Sequence, residues 1–170
     1  YDPADPVPTE GGALWEFPMA GLNPGPAIVT TGNRQDVMVF QSAELGSRVT
    51  TLGPAEILLH VASDAPSTDF AAKLVDVYPN GTPRIVADDV RRVTVAGEAQ
   101  VTIAIPGIGH VFEKGHRIRL DVSSSNFPKY DRNLNTGISD LISSRMNVAR
   151  QTVHFGRSAP SRVRLRVLDY

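Results

Sequence analysis

From Asp36 onward, apolar and polar positions alternate through most of the chain. In GHRIRLDV (115–122), Ile118, Leu120 and Val122 fall on one face and Arg117, Arg119 and Asp121 on the other, which predicts a half-buried strand. VMVF (37–40), SRVTTL (47–52), RIVAD (84–88), RRVTVAG (91–97), QVTIAIPG (100–107) and ARQTVHFG (149–156) are further short strand-like runs between Gly and Pro. AEILLHVAS (55–63) is apolar on both faces and predicts a central strand. In DFAAKLVDVYP (69–79), Phe70, Ala72, Leu74, Asp76 and Tyr78 share one face. SRVRLRVLD (161–169) sets Val163, Leu165 and Val167 against Arg162, Arg164 and Arg166, as in a half-exposed strand. Asn80-Gly81 predicts a hairpin turn. Ile138, Leu141, Ile142 and Met146 have helical spacing, which predicts a single helical turn. Many short strands with turn signals roughly every 8–12 residues and no long helix define an all-β sandwich.

Two stretches break the alternation. YDPADPVPT opens the chain with Pro3, Pro6 and Pro8 and predicts an extended segment. Trp15 and Phe17 follow among Gly and Pro, and aromatics in such a setting pin a segment to a surface. The second is SSSNFPKYDRNLNTG (123–137), in which Asn126, Asp131, Asn133, Asn135 and Gly137 favour irregular turns while Phe127 and Tyr130 add aromatic surface. Such a loop either packs on itself or docks on a partner.

Composition narrows the setting. With 41% hydrophobic residues, 21% charged residues and a net charge of −1, the chain is ordinary for one globular domain, and neither nucleic acid nor an anionic membrane is an expected partner. Residues 1–100 hold 13 acids and 6 bases and residues 101–170 hold 5 and 11, so interleaving the halves in one sandwich neutralises both. Cysteine is absent, which excludes disulfides and thiolate metal sites and fits a reducing, cytoplasmic compartment. No apolar run approaches the ~20 residues of a transmembrane helix.

The chain has no G-x-S-x-G elbow, and no spacing couples His60, His110, His116 or His154 to a serine, so no catalytic centre is expected. Asp64 and Asp69 flank Ala65-Pro66-Ser67-Thr68, but aspartates at such positions commonly bond their own turn, and no metal is expected there. His110 and His116 lack an evident third ligand for zinc. No dinucleotide or phosphate-binding fingerprint occurs, so no cofactor is expected. Phe127, Tyr130, Asp131, Arg132 and Asn133 are also the residue types of a sugar-binding rim, and an autonomous carbohydrate-binding jelly roll is the alternative reading. Asp131 and Arg132 are expected to form a local ion pair worth no more than about 1 kcal/mol if exposed.

SSSNFPKYDRNLNTG resembles the signature of the C-terminal, non-catalytic β domain of the CocE/NonD serine hydrolases, a family of cocaine esterases, Xaa-Pro dipeptidyl-peptidases and α-amino-acid ester hydrolases. The resemblance extends to YDPADPVPTEGG (1–12), SDAPSTDFAAKLVDVYPNG (63–81), GHRIRLDVSSSNF (115–127) and SAPSRVRLRV (158–167), and weakens over 84–100 and 138–147. It implies a galactose-binding-like jelly-roll sandwich over 34–170, with 1–33 as an extended interdomain linker and N-terminal arm. It also implies an α/β-hydrolase catalytic domain of the same parent protein as partner, with homo-oligomer contacts a further expectation. The implied interdomain or cleft-edge residues are Phe127, Tyr130, Asp131, Arg132, Asn133 and Asn135, supported by Asp64, Asp69 and Phe70, with Trp15 in the arm.

Overall fold

The computed structural model describes residues 1–13, 24–94 and 97–168. Eight strands follow one another as β1 (Met38–Gln41), β2 (Val49–Ser63), β3 (Thr68–Val77), β4 (Pro83–Val93), β5 (Gly97–Phe112), β6 (Arg117–Ser123), β7 (Gln151–His154) and β8 (Arg162–Leu168). They form two antiparallel sheets. Sheet one has the order β1-β6-β3-β4, while sheet two has the order β5-β2-β7, with β8 also on β2. The fold is thus the expected all-β sandwich.

The apolar alternation read from the sequence faces the space between the sheets. Ile57, Leu59 and Val61 of β2 meet Phe70, Ala72 and Leu74 of β3, with Val101, Ile103 and Ile105 of β5 and Leu120 and Val122 of β6 completing the core. Phe70 and Phe112 are fully buried, each contributing about 1.5–3 kcal/mol of burial free energy. AEILLHVAS is central in its sheet, as its two apolar faces predict: β5 lies along one edge, and β7 and β8 share the other end to end.

Several strands are longer than their sequence punctuation suggests. SRVTTL and AEILLHVAS are one strand, because Gly53 (φ 119°) takes a left-handed conformation and the register skips from Gly53 to Ala55. Pro106 and Gly107 lie in the matching skip of β5, where Gly53 pairs with Ile108 and Ala55 with Ile105. Each proline therefore sits in a bulge, where no ladder hydrogen bond is asked of it. RIVAD and the first three residues of RRVTVAG, 91–93, likewise join into β4. At the β3–β4 hairpin, Gly81 (φ 85°) donates to Tyr78 O at 2.8 Å and Tyr78 donates to Thr82 O at 2.9 Å, a turn that needs the glycine but leaves Asn80 at ordinary φ. Residues 138–146 hold one hydrogen-bonded turn, Ile142 N to Ser139 O at 3.1 Å, and no helix: the four spaced apolar residues are exposed among the described residues.

Every residue of β3 is buried on both faces. Its inner face meets the core, and its outer face is covered by the N-terminal segment, where Val29 and Ala27 pack with Val75, Val77 and Ile85 in a second small cluster. The arm is bonded to the sandwich rather than hanging from it. Ala149 N donates to Tyr1 O at 2.9 Å, Val7 N to Ser125 Oγ at 2.8 Å, and Thr9 N to Phe127 O at 2.7 Å.

Candidate docking site at residues 126–148

β6 delivers the chain into its long irregular loop at one end of the sandwich. With no strand partner, the loop must satisfy its backbone and side-chain polar groups some other way. It does so against its own domain. Asn133 Nδ2 donates to Asp69 Oδ1 at 2.8 Å and to Ser67 Oγ at 2.9 Å, while its Oδ1 accepts the Asn135 backbone N–H at 2.9 Å. Asn135 sits at φ 60°, accepts Thr68 Oγ1–H at 3.1 Å, and donates to Asn147 O at 2.8 Å. Asn133 and Asn135 are 2% and 0% exposed, so these asparagines replace a missing sheet ladder.

Charge anchors the same loop to β4 and to the arm. Lys129 Nζ lies 2.6 Å from Asp88 Oδ1, and Asn126 Nδ2 donates to the other oxygen of that buried carboxylate. Tyr130 OH donates to Asp89 Oδ1 at 3.2 Å, and burial together with the charges of Asp89 and Asp88 pushes the phenol well above its ordinary pKa. Lys129 N–H donates to Thr9 Oγ1 at 3.1 Å, and the peptide between Phe127 and Pro128 is cis. Asp69, beneath the loop, accepts Arg92 Nε at 2.8 Å, and Arg92 Nη1 reaches Asp140 at 3.1 Å. Beneath the arm, Lys73 meets Glu10 at 3.5 Å and donates to Pro8 O at 3.2 Å. Burial pushes the Glu10 carboxyl up, but hydrogen bonds from Thr30 and Thr31 and the charge of Lys73 outweigh it and hold the group below the ordinary carboxylate range.

The structure brings the two sequence-predicted loops together: Ser67, Thr68 and Asp69 bond the asparagines, and Gly137 (φ 72°) lies over Pro66. Within that assembly the predicted residues divide. Phe70, Asp69, Asn133 and Asn135 are buried inside the domain, whereas Phe127 and Asp131 are exposed and Tyr130 and Arg132 half-buried. Asp64 is exposed and accepts the Arg150 N–H at 2.8 Å through Oδ1. Trp15 lies outside the described residues. The expected Asp131–Arg132 ion pair does not form among the described residues. Arg132 instead donates to Pro3 O at 3.1 Å and lies over the Phe127 ring at 5.6 Å, because the arm offers it a fixed acceptor. Of the residues read as a sugar rim, Asn133 is spent inside the domain, and Tyr130 and Arg132 are already bonded to Asp89 and to Pro3 O.

The apolar side chains that follow behave differently. Leu141 and Ile142 are 93% and 80% exposed, and Ile138, Met146 and Val148 are exposed beside them. Ile138, Leu141, Ile142 and Met146 are the residues whose spacing predicts one face of a helical turn, and Val148 lies outside that pattern.

In a second cluster the fold supplies a partner for His110 and His116 that the sequence did not reveal. Asp76, a buried carboxylate, accepts His110 Nε2 at 3.0 Å on one oxygen and His116 Nδ1 at 2.8 Å on the other. His110 comes from β5 and Asp76 from β3, so the contact ties sheet two to sheet one. Only the fold joins residues 34 and 40 positions apart. Among the described residues no histidine ring nitrogen bonds a serine hydroxyl, so the serine–imidazole–carboxylate relay is not assembled here. No helix among the described residues is long and apolar enough to cross a membrane.

A two-sheet antiparallel sandwich whose long loop is bonded to its own strands, with an apolar strip exposed beside that loop, defines an all-β module. Residues 2–164 match the X-Pro dipeptidyl-peptidase C-terminal non-catalytic domain, and the chain belongs to this family, the C-terminal β domain of the CocE/NonD hydrolases. Cocaine esterase of Rhodococcus sp. (strain MB1 Bresler) is 40% identical over 183 residues, a stretch covering 99% of this chain and 31% of that protein. The structure of an α-amino acid ester hydrolase labelled with selenomethionine superposes with TM-score 0.84 at 24% identity, over 98% of this chain and 31% of the other. An aminopeptidase from a marine sediment Thaumarchaeota archaeon gives TM-score 0.81 at 22% identity, over 99% and 32%. The chain thus spans about a third of the length of the relatives it matches.

Proposed function

We propose that this domain packs on an α/β-hydrolase catalytic domain of the same parent protein and helps border its substrate cleft, the parent cleaving ester, amide or Xaa-Pro peptide bonds through an acyl-enzyme. The observation that carries this reading is the apolar strip Ile138, Leu141, Ile142, Met146 and Val148, uncovered beside a loop whose own polar groups are already bonded. A loop gains nothing from exposing two large aliphatic side chains almost completely unless a partner surface buries them. Phe127, Tyr130, Asp131 and Arg132 lie on the adjoining rim, where aromatic and arginine side chains suit an interface. Asn133, Asn135, Asp69 and Phe70 hold that rim from below, and Asp64 borders it.

The test compares the parent protein with its Leu141→Asp/Ile142→Asp variant. Loss of hydrolysis together with separate unfolding of the two domains supports the seam. Full activity with a single unchanged unfolding transition refutes it. The chain by itself is expected to leave p-nitrophenyl acetate intact, and turnover that survives serine-directed inhibitor controls would contradict the reading.

A further inference from the structure

Sheet two has a gap on the flank that β7 and β8 share. His60 pairs with His154 and Leu58 with Arg162, so Leu59 has no strand residue opposite it on that edge. Residues 155–161, which join the two strands, lie outside the sheet. Ser161 closes the neck of this excursion, its hydroxyl accepting the His60 N–H at 2.9 Å and donating to His154 O at 2.6 Å. Across the gap stand Phe40 of the short edge strand β1 and Ile118 and Leu120 of β6.

The result is a cavity of about 250 Å³ walled by Phe40, Leu59, Ile118, Leu120, Phe155 and Val163. Leu59 and Leu120 belong to the core, Phe40, Ile118 and Val163 are half-buried, and Phe155 is exposed, so the space runs from solvent down to the core. Phe40 and Phe155 meet edge to face with ring centroids 5.6 Å apart. Two of the polar groups in the wall are already spent. Ser161 is bonded on both sides, and the Ser42 hydroxyl donates to Ala43 O at 2.7 Å and accepts the Ile118 N–H at 3.0 Å. Water deep in the cavity therefore finds few partners, and an apolar body gains by replacing it. The rim differs. Arg164 is matched by Glu56 at 3.0 Å, but Arg162, which lines the cavity and is exposed, pairs with no carboxylate among the described residues.

We propose that this cavity binds a medium-chain alkanoate, its chain lying between Leu59, Leu120 and Val163 and its carboxylate meeting the Arg162 guanidinium. Size selects the length. A cavity of about 150 Å³ holds one benzene ring, so about 250 Å³ holds about ten non-hydrogen atoms, the number in octanoate. The residues of the exposed strip at 138–148 do not line this space.

The experiment is titration of the methyl-labelled chain with sodium octanoate, followed by NMR. The methyl signals of Leu59, Ile118, Leu120 and Val163 should move together and saturate, while those of Val75 and Val77, in the small cluster under the arm, stay in place. Butyrate, four methylenes shorter, should bind about a hundredfold more weakly. Arg162→Gln should weaken octanoate by about fivefold, the upper end for an exposed ion pair. Val163→Phe fills the cavity and should abolish saturation, and Phe155→Ala, at an exposed position, should weaken binding by about tenfold. Absence of a saturable shift, shifts spread over the whole methyl spectrum, or wild-type affinity in both Arg162→Gln and Phe155→Ala would each overturn the proposal. If the same methyls ignore octanoate and move only in the whole parent protein, the occupant is a side chain of the neighbouring domain and the proposal falls.

Discussion

Residues 126–137 and 138–148 are consecutive, irregular and equally short of strand partners, yet they solve that problem in opposite ways. The first segment turns inward. Asn126, Lys129, Tyr130, Asn133 and Asn135 each bond a residue of the sandwich, and the arm closes over the segment at Thr9 and Phe127. The second turns its apolar side chains outward and makes one hydrogen-bonded turn. A loop of Asn, Asp and Ser is not by that composition a binding surface: here those residues are internal struts, and the aliphatic residues next to them are the unmet surface.

Substitutions should separate the two segments by the property they damage. The largest loss of stability is expected from Asp88→Ala, which strands Lys129 in a mostly buried position. About 3–5 kcal/mol should be lost in chemical denaturation, the range for breaking a buried ion pair from one side. Glu10→Gln should cost about 1.5–3 kcal/mol at neutral pH through weakened charged hydrogen bonds to Thr30 and Thr31 and the lost pairing with Lys73. It carries a pH signature as well. A carboxyl held below its ordinary range stabilises the fold above the unfolded value of about 4.5, and that contribution fades as pH falls through the lower folded value. Melting temperatures scanned down from pH 6 should therefore fall more steeply for the wild type than for Glu10→Gln.

Tyr130→Phe removes only the bond to Asp89 and should cost about 0.5–1.5 kcal/mol, read by the same denaturation. Smallest of all, Leu141→Ser/Ile142→Ser should shift the stability of this chain by no more than about 0.5 kcal/mol, since neither side chain is covered. A large loss there, or none at Asp88, would abolish the distinction between struts and surface.

Much of this was legible before any coordinates. Period-two alternation marked GHRIRLDV and SRVRLRVLD, short runs between Gly and Pro marked other strands, and the two apolar faces of AEILLHVAS gave its central place. Boundaries were harder. Gly53-Pro54 and Pro106-Gly107 read as stops because each is a strong breaker alone, yet placed opposite one another they make a shared bulge. The loop's location at the end of β6 and its neighbourhood with residues 64–70 were also readable, through the resemblance. The direction of its side chains was not. Asp88 and Lys129, or Glu10 and Lys73, stand 41 and 63 positions apart, and nothing local to either residue announces the other. Conversely, the spacing of Ile138, Leu141, Ile142 and Met146 suggested a covered helical face, yet all four are exposed among the described residues.

The division of one β2 edge between β7 and β8 has a bearing on how the molecule avoids its own kind. A long unbroken rim invites identical copies to stack on it, strand after strand. On this flank the rim is cut into pieces of four and seven residues, and the longer piece bears Arg162, Arg164 and Arg166. Approaching copies would set like charge against like over a stretch too short to repay it, so crowding at high concentration should not seed fibres from this flank.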